Sequence, residues 1–342
     1  MTQSPDLQQR QPLGAGPGLG EVVVVTPYIL WFRIVSPGAP MGGVNVWALR
    51  DGQGWALVDT GFADADSAAQ WDSILHHLDG PITRIICTHF HPDHIGQVGN
   101  LLRRFNVPLM MTEVEWGHAK ALASSAQTDA GLYADHLHRA GLSPDVIEQM
   151  ASRPRDGLTT GLPENCTILR AGDTIELAQS SWTVSVGAGH SPAPAIFENR
   201  HDKLMIAGDQ LLMRITPHVG AQISDTDGDP LGDYLHYLAR AETIDPDMLV
   251  LPGHGPAFRF AGTRAHEIAL HHEAKLNALV DSLKQNTLVS ETINLLFGRS
   301  LKGVGLLLGI AEAEAHLRHL VQTGRASREI DHLGRYLFSA LS

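Results

Sequence analysis

Residues 88–94 read Thr-His-Phe-His-Pro-Asp-His, which packs His89, His91, Asp93 and His94 into six positions. Neutral imidazole and carboxylate are the donors that Zn²⁺ and neighbouring divalent ions take, and neither cysteine is needed for such a set. One ion rarely accepts four ligands from six residues in good geometry. Pro92 stiffens the turn, so His89 and His91 can face one side while Asp93 and His94 face another. Two ions sharing the loop is the natural solution. The competing reading is a solvated loop in a chain that carries 19 histidines.

Three more positions put an ionisable side chain at the end of an apolar run. GAGHSP ends at His190, with Gly187 and Gly189 permitting close backbone approach. IAGDQ sets Asp209 behind a glycine, and LVLPGHG sets His254 between two. Each alone reads as a structural histidine or a turn aspartate. Together they sit where core strands end.

The elements that must position these residues follow from the pattern. VNVWALRDGQGWALVDTG is two apolar runs around a turn, the signature of a hairpin. DADSAAQWDSILHHL opens on Asp and Ser and continues at helical spacing. ITRIICTH reads as a buried strand, IGQVGNLLRRF as a helix and VPLMMTE as a strand, and this alternation predicts an α/β layered core. Residues 114–160 read as helices broken at AGLSPD and SRPRDG, an insertion or cap whose His118, His136 and His138 are candidates to face a substrate. Strands resume from CTILRAGD to KLMIAGD, and DMLVLPGHG is a last strand. From residue 263 a long helix, two shorter helices and a hairpin follow, the order of a winged-helix unit. His271 and His272 on the long helix, and His316 and His319 beyond it, read as packing or solvated positions. Residues 1–20, rich in Gln, Pro and Gly, read as a flexible lead.

Composition narrows the function. A chain of 342 residues, 43% apolar, has room for one large domain and a smaller one. A formal net charge of −12 argues against a nucleic-acid backbone as partner and leaves a small-molecule substrate. The tail, 284–342, is mildly basic, but its second helix carries Arg318 against Glu312 and Glu314, which favours packing or homodimerisation over nucleic acid. Cys87 and Cys166 are too few for a disulfide framework. No signal peptide or membrane-length apolar run is evident, so a cytoplasmic location away from membranes is expected.

In order, VDTG, THFHPDH, GHSP, AGD and PGHG resemble the five motifs of the metallo-β-lactamase-fold hydrolases, over roughly residues 20–260. The resemblance implies an αββα sandwich over 21–262 with the metals at one edge. Position by position, it implies that His89, His91 and His190 hold one metal, that Asp93, His94 and His254 hold a second, and that Asp209 bridges both. It makes Asp59 of VDTG an orienter of ligands rather than a ligand. His91 stands where the iron redox branch carries a carboxylate, so the chain resembles the hydrolytic members. Residues 263–342 resemble the branch with a winged-helix appendage, which includes acyl-thioester hydrolases and endoribonuclease-like members. One departure is Pro194, which stands where many relatives carry a second histidine after the ligand.

The expected activity is hydrolysis by two divalent ions, zinc favoured and manganese or iron tolerated. Ions about 3.5–4 Å apart generate a bridging hydroxide near neutral pH. Its target is a small carbonyl ester, thioester or lactone ahead of β-lactam, with Asp93 and Asp209 as the catalytic carboxylates and Asp93 taking up a proton. The alternatives are a metal-dependent nuclease or phosphodiesterase and a non-catalytic ligand sensor. No Gly-x-Ser-x-Gly elbow supports a serine mechanism.

Overall fold

The computed structural model describes residues 13–37, 42–124, 130–151 and 161–341. Residues 1–12 of the expected lead, and 125–129 and 152–160 of the expected insertion, lie outside these. Strands β1 (Val23–Thr26), β2 (Ile29–Ile34), β3 (Val44–Asp51), β4 (Gly54–Val58), β5 (Ile82–Ile86), β6 (Leu109–Thr112) and β7 (Thr167–Leu169) form one sheet in chain order. Its first four strands are antiparallel and the rest parallel. The expected hairpin is β3–β4, with Asp51 opposite Gly54. A second sheet, in the order β12-β11-β10-β9-β8, contains β8 (Thr174–Leu177), β9 (Ser180–Val186), β10 (Ala195–Asn199), β11 (Leu204–Gly208) and β12 (Leu249–Pro252). Here only β11 and β12 run parallel.

Three of the strands that deliver the site are buried on both faces. GWALV in β4, LMIAG in β11 and LVLP in β12 are buried at every position, as expected of parallel strands covered on two sides. The sheets face each other across one core. Trp31, Trp47, Val58 and Ile86 of the first meet Trp182, Phe197, Ile206 and Leu251 of the second. Helices α1 (Ala65–Leu75), α2 (Pro92–Ile95), α3 (Val98–Phe105) and α4 (Glu113–Ser124) cover the outer side of the first sheet, burying Trp71, Leu101 and Trp116 against Phe32 and Leu57. Asp64 caps α1, accepting from the Ser67 N–H at 2.6 Å. Beyond α5 (Ala130–Arg139) and α6 (Pro144–Ala151), α7 (Pro230–Ala241) and α8 (Ala261–Ser282) cover the second sheet. The layers are helix, sheet, sheet, helix, the αββα sandwich expected.

The chain then runs through β13 (Thr287–Leu288), α9 (Val289–Phe297), α10 (Val304–Gln322), β14 (Ala326–Ile330) and β15 (Tyr336–Ala340), the three strands pairing as β13-β15-β14. The helix, helix, hairpin order is as read, with β13 as an added strand. These elements have no core of their own. Ile310, Ala313, Leu317 and Leu320 of α10 share one cluster with Tyr234 and Leu238 of α7 and Ile268 of α8. Tyr133, Leu137 and Met150 of α5 and α6 join it, and the Ser290 N–H donates to the Ala140 carbonyl at 3.0 Å. The insertion therefore packs against the C-terminal elements. Among the described residues, no helix is long and apolar enough to cross a membrane.

Candidate metal centre

The seven residues singled out in the sequence meet at one edge of the sandwich. β5 runs into Thr88–His94 and the short helix α2; the β9–β10 connection carries His190; Asp209 follows β11 and His254 follows β12. Two glycines make the approach feasible. A side chain at Gly189, where φ is +95°, would collide with Tyr234, and one at Gly253 would collide with the Asp209 carboxylate and the His94 ring.

Their hydrogen bonds determine which nitrogens are free. His190 Nδ1 lies 2.7 Å from the His218 carbonyl, and His254 Nδ1 lies 2.7 Å from the Gly43 carbonyl. A carbonyl only accepts, so both Nδ1 atoms carry a proton and both Nε2 atoms are turned towards the other site residues. His94 Nδ1 donates to Asp59 Oδ2 at 2.8 Å. The Thr88 hydroxyl donates to the Asp59 carboxylate, so it accepts from His89 Nδ1–H at 2.9 Å. Asp59, held at φ +61°, thereby orients two of the histidines without entering the set, as the resemblance implied.

The remaining atoms form two groups. His89 Nε2, His91 Nδ1 and His190 Nε2 lie 2.9, 3.1 and 3.2 Å from one another. Nitrogens bound tetrahedrally at about 2.0–2.1 Å to one zinc would lie about 3.3 Å apart, so the triangle fits a shared cation. In the second group, His254 Nε2 is 3.1 Å from Asp93 Oδ2, and His94 Nε2 is 3.7 Å from the same oxygen. Asp209 touches both groups, at 3.6 Å from His190 Nε2, 3.5 Å from His94 Nε2 and 3.3 Å from His254 Nε2. Buried His94 Nε2, His254 Nε2 and Asp209 Oδ1 have no hydrogen-bond partner. Buried polar atoms without hydrogen-bond partners are costly, and a cation between them is what this set fits.

The two groups differ electrostatically. Burial and mutual repulsion hold His89 and His91 well below the ordinary imidazole range, and burial lowers His190. These three are neutral near pH 7 and so available to a metal. Burial also opposes charge on His254, but Asp209 and Asp93 overcome it and hold its pKa at about 10; His94 is raised for the same reason. Burial would raise Asp93, yet His94 and His254 bring it down to about 2, so it is a carboxylate. The second group is thus a site that demands positive charge.

A carboxylate that the sequence reading passed over joins the ligand loops. Glu115 of α4 is fully buried and accepts from the Phe90 N–H at 3.0 Å, the Ser191 hydroxyl at 2.6 Å and the Ala193 N–H at 2.7 Å. Phe90 lies between His89 and His91, and Ser191 follows His190. The one sequence signal is an acid set between Val114 and Trp116 in an apolar stretch.

A cavity of about 410 Å³ opens on the centre, lined by His91, Asp93, His190, Asp209 and His254. Its far wall corrects an expectation: among the described residues none from 114–160 lines it. His118 stacks on Phe90, His136 lies 3.5 Å from Glu314, and His138 bonds the Leu333 carbonyl. Pro194, buried immediately before β10, accepts from the Gly187 N–H and lies outside the cavity lining.

The sequence model of the metallo-beta-lactamase superfamily matches residues 39–254. The chain belongs to this superfamily. A second model, the metallo-beta-lactamase-like C-terminal domain, matches residues 276–341 of this superfamily hydrolase. A crystal structure of a beta-lactamase domain protein from Burkholderia ambifaria superposes with a TM-score of 0.92 at 31% identity, covering 99% of this chain and all of that one. A metallo-beta-lactamase family protein of Thermus thermophilus shares the fold, with a TM-score of 0.78 at 24% identity over 93% of this chain and all of that one. Among curated proteins, an atrochrysone carboxyl ACP thioesterase of Passalora fulva is 32% identical over 90 residues, 26% of this chain and 27% of that protein. A probable metallo-hydrolase of Bacillus subtilis is 36% identical over 169 residues, 48% of this chain and 61% of its own length. The aligned parts span less than two thirds of these curated relatives.

Proposed function

We propose that this superfamily hydrolase uses two divalent ions, zinc favoured, to cleave a small carbonyl ester, with thioester ahead of lactone. The carrying observation is the convergence of five histidine nitrogens and two carboxylates in one buried cluster, with His94 Nε2, His254 Nε2 and Asp209 Oδ1 left without a hydrogen-bond partner. His89, His91 and His190 would hold one ion, Asp93, His94 and His254 the other, and Asp209 both. Bound there, such ions supply Lewis acidity and acidify water. The chain's own groups do the rest. Asp59, the His218 carbonyl and the Gly43 carbonyl fix the imidazole rings. Asp93 faces the cavity as an ionised carboxylate and is the group to take up the proton released during ester cleavage. The partial likeness to a carrier-protein thioesterase supports the thioester choice. No Lys or Arg lines the cavity among the described residues, which weighs against a phosphodiester.

Metal analysis of the native protein, combined with thioester, lactone and phosphodiester panels, tests the reading. Two ions per chain and thioester turnover are expected. A fully metallated protein that cleaves only phosphodiesters would refute it. Asp209→Ala should lower metal content at both sites and abolish turnover; unchanged metal content would remove its bridging role.

A further inference from the structure

The cavity over the metal centre has two unlike walls. One is the ligand set. The other is built by Gly220 and Ala221 and by Val304, Leu308 and Ala311 of α10, a helix that lies beyond the hydrolase motifs. Positions 304, 308 and 311 are spaced i, i+4 and i+7, so they form one stripe along the helix. Val304 is 57% exposed and Leu308 41% exposed. Large apolar side chains left open beside a reaction centre are the kind of surface a ligand covers.

The wall is fastened to the centre. The loop after β11 passes between them, and its Ala221 N–H donates to the Ala311 carbonyl at 2.9 Å. His218 ties both sides: its Nε2–H donates to the Leu308 carbonyl at 3.0 Å, and its own carbonyl takes the His190 proton. The stripe therefore keeps a fixed position relative to the ligands. No Lys or Arg lines the cavity among the described residues, so the wall facing the centre offers no partner to an anionic arm.

We propose that α10 is the substrate-selecting wall of this enzyme: the apolar acyl chain of an uncharged ester lies along Val304, Leu308 and Ala311 while its carbonyl faces the metal centre. This rests on the ester-hydrolase reading above and adds the substrate's shape and the residues that measure it. Burial of one methylene contributes about 0.8 kcal/mol, so each CH₂ raises kcat/KM about fourfold until the cavity is full.

The test uses the full-length, metal-loaded protein and straight-chain acyl thioesters of N-acetylcysteamine, from acetyl to decanoyl. Binding of linear primary amides of the same lengths, followed by calorimetry, reads the wall without turnover. Expected are a rising profile with length in both series and a plateau at the longer chains. Val304→Trp, at an exposed position that does not enter the core, and Leu308→Trp should each lower the octanoyl-to-acetyl ratio of kcat/KM about tenfold by filling the groove. Leu308→Ser should flatten the length dependence of amide binding. Hydrolysis that is indifferent to chain length in the native protein and in the variants overturns the proposal while leaving the hydrolase reading in place. Length-dependent amide binding that Leu308→Ser flattens, without turnover of any ester, keeps the apolar wall and removes the ester reading instead.

Discussion

Replacing Glu115 by alanine removes an acceptor shared by the two loops that carry His89, His91 and His190. Three donors lose their partner: the buried Ser191 hydroxyl and the half-buried Phe90 and Ala193 N–H groups. Each stranded donor costs about 1–3 kcal/mol, and removing the buried carboxylate returns part of its own desolvation, for a net loss of about 3–4 kcal/mol. In a protein of this size that is roughly 4–6 °C in Tm. Glu115→Gln keeps one accepting oxygen, and the Ser191 hydroxyl can turn to accept from the new amide, so its loss is about 1–2 kcal/mol. Because Glu115 joins the loops rather than touching a ligand, the alanine variant should also weaken binding at the three-histidine group about tenfold, with partial rescue in the glutamine variant. Thermal melts of metal-free protein and a competitive zinc titration measure both effects. An alanine variant that melts within about 1 °C of the native protein and binds zinc equally well would refute the reasoning.

Further expectations concern charge, space and metal. The His316 Nδ1–H donates to the Glu312 carbonyl, which leaves Nε2 to accept from His272 Nδ1–H; both rings are neutral, and His272 Nε2 is buried without a partner. Burial, with His316 and Lys275 adding to it, holds His272 at about 2, and burial holds His316 at about 4. Both folded values lie below the ordinary 6.5, so stability is full above pH 6.5 and falls as the pH drops towards them. Between pH 7 and 5 the loss is about 2–4 kcal/mol, read by denaturant titration, and His272→Gln should reduce the slope by about one proton. Gly253→Ala should expel metal from the Asp93–His94–His254 group and cost about 1–3 kcal/mol; normal metal stoichiometry in that variant would contradict the packing seen here. Zinc at about a thousand times its Kd should stabilise the folded protein by about 4 kcal/mol, reversed by a chelator, and a melt insensitive to both would count against a built metal site.

The candidate centre is legible because its residues are local to strand ends. His89, His91, Asp93 and His94 lie in one turn, and His190, Asp209 and His254 each close an apolar run that pattern reading recognises as a strand. The hairpin, the helix capped by Asp64 and the order of the C-terminal elements were legible for the same reason. What escaped is long-range. Glu115 bonds residues 76 and 78 positions away, and nothing in the local pattern of a helix says which loop its carboxylate will meet. Residues 114–160 read as a cap, but amphipathic periodicity shows only that a face is buried, not against what. Tyr133, Leu137 and Met150 bury it on the C-terminal side, and the groove falls to α10.

Helix α10 carries two occupations on one cylinder. Ile310, Ala313, Leu317 and Leu320 face inward to the shared core, while 304, 308 and 311 face the groove. A helical period keeps these sets apart, so mutational drift can explore the groove stripe at little cost to folding while the inward stripe stays under purifying selection. Divergence among descendants of this chain should accordingly accumulate at 304 and 308 well before it reaches 313 or 317, and new substrate preferences can arise without disturbing a single metal ligand.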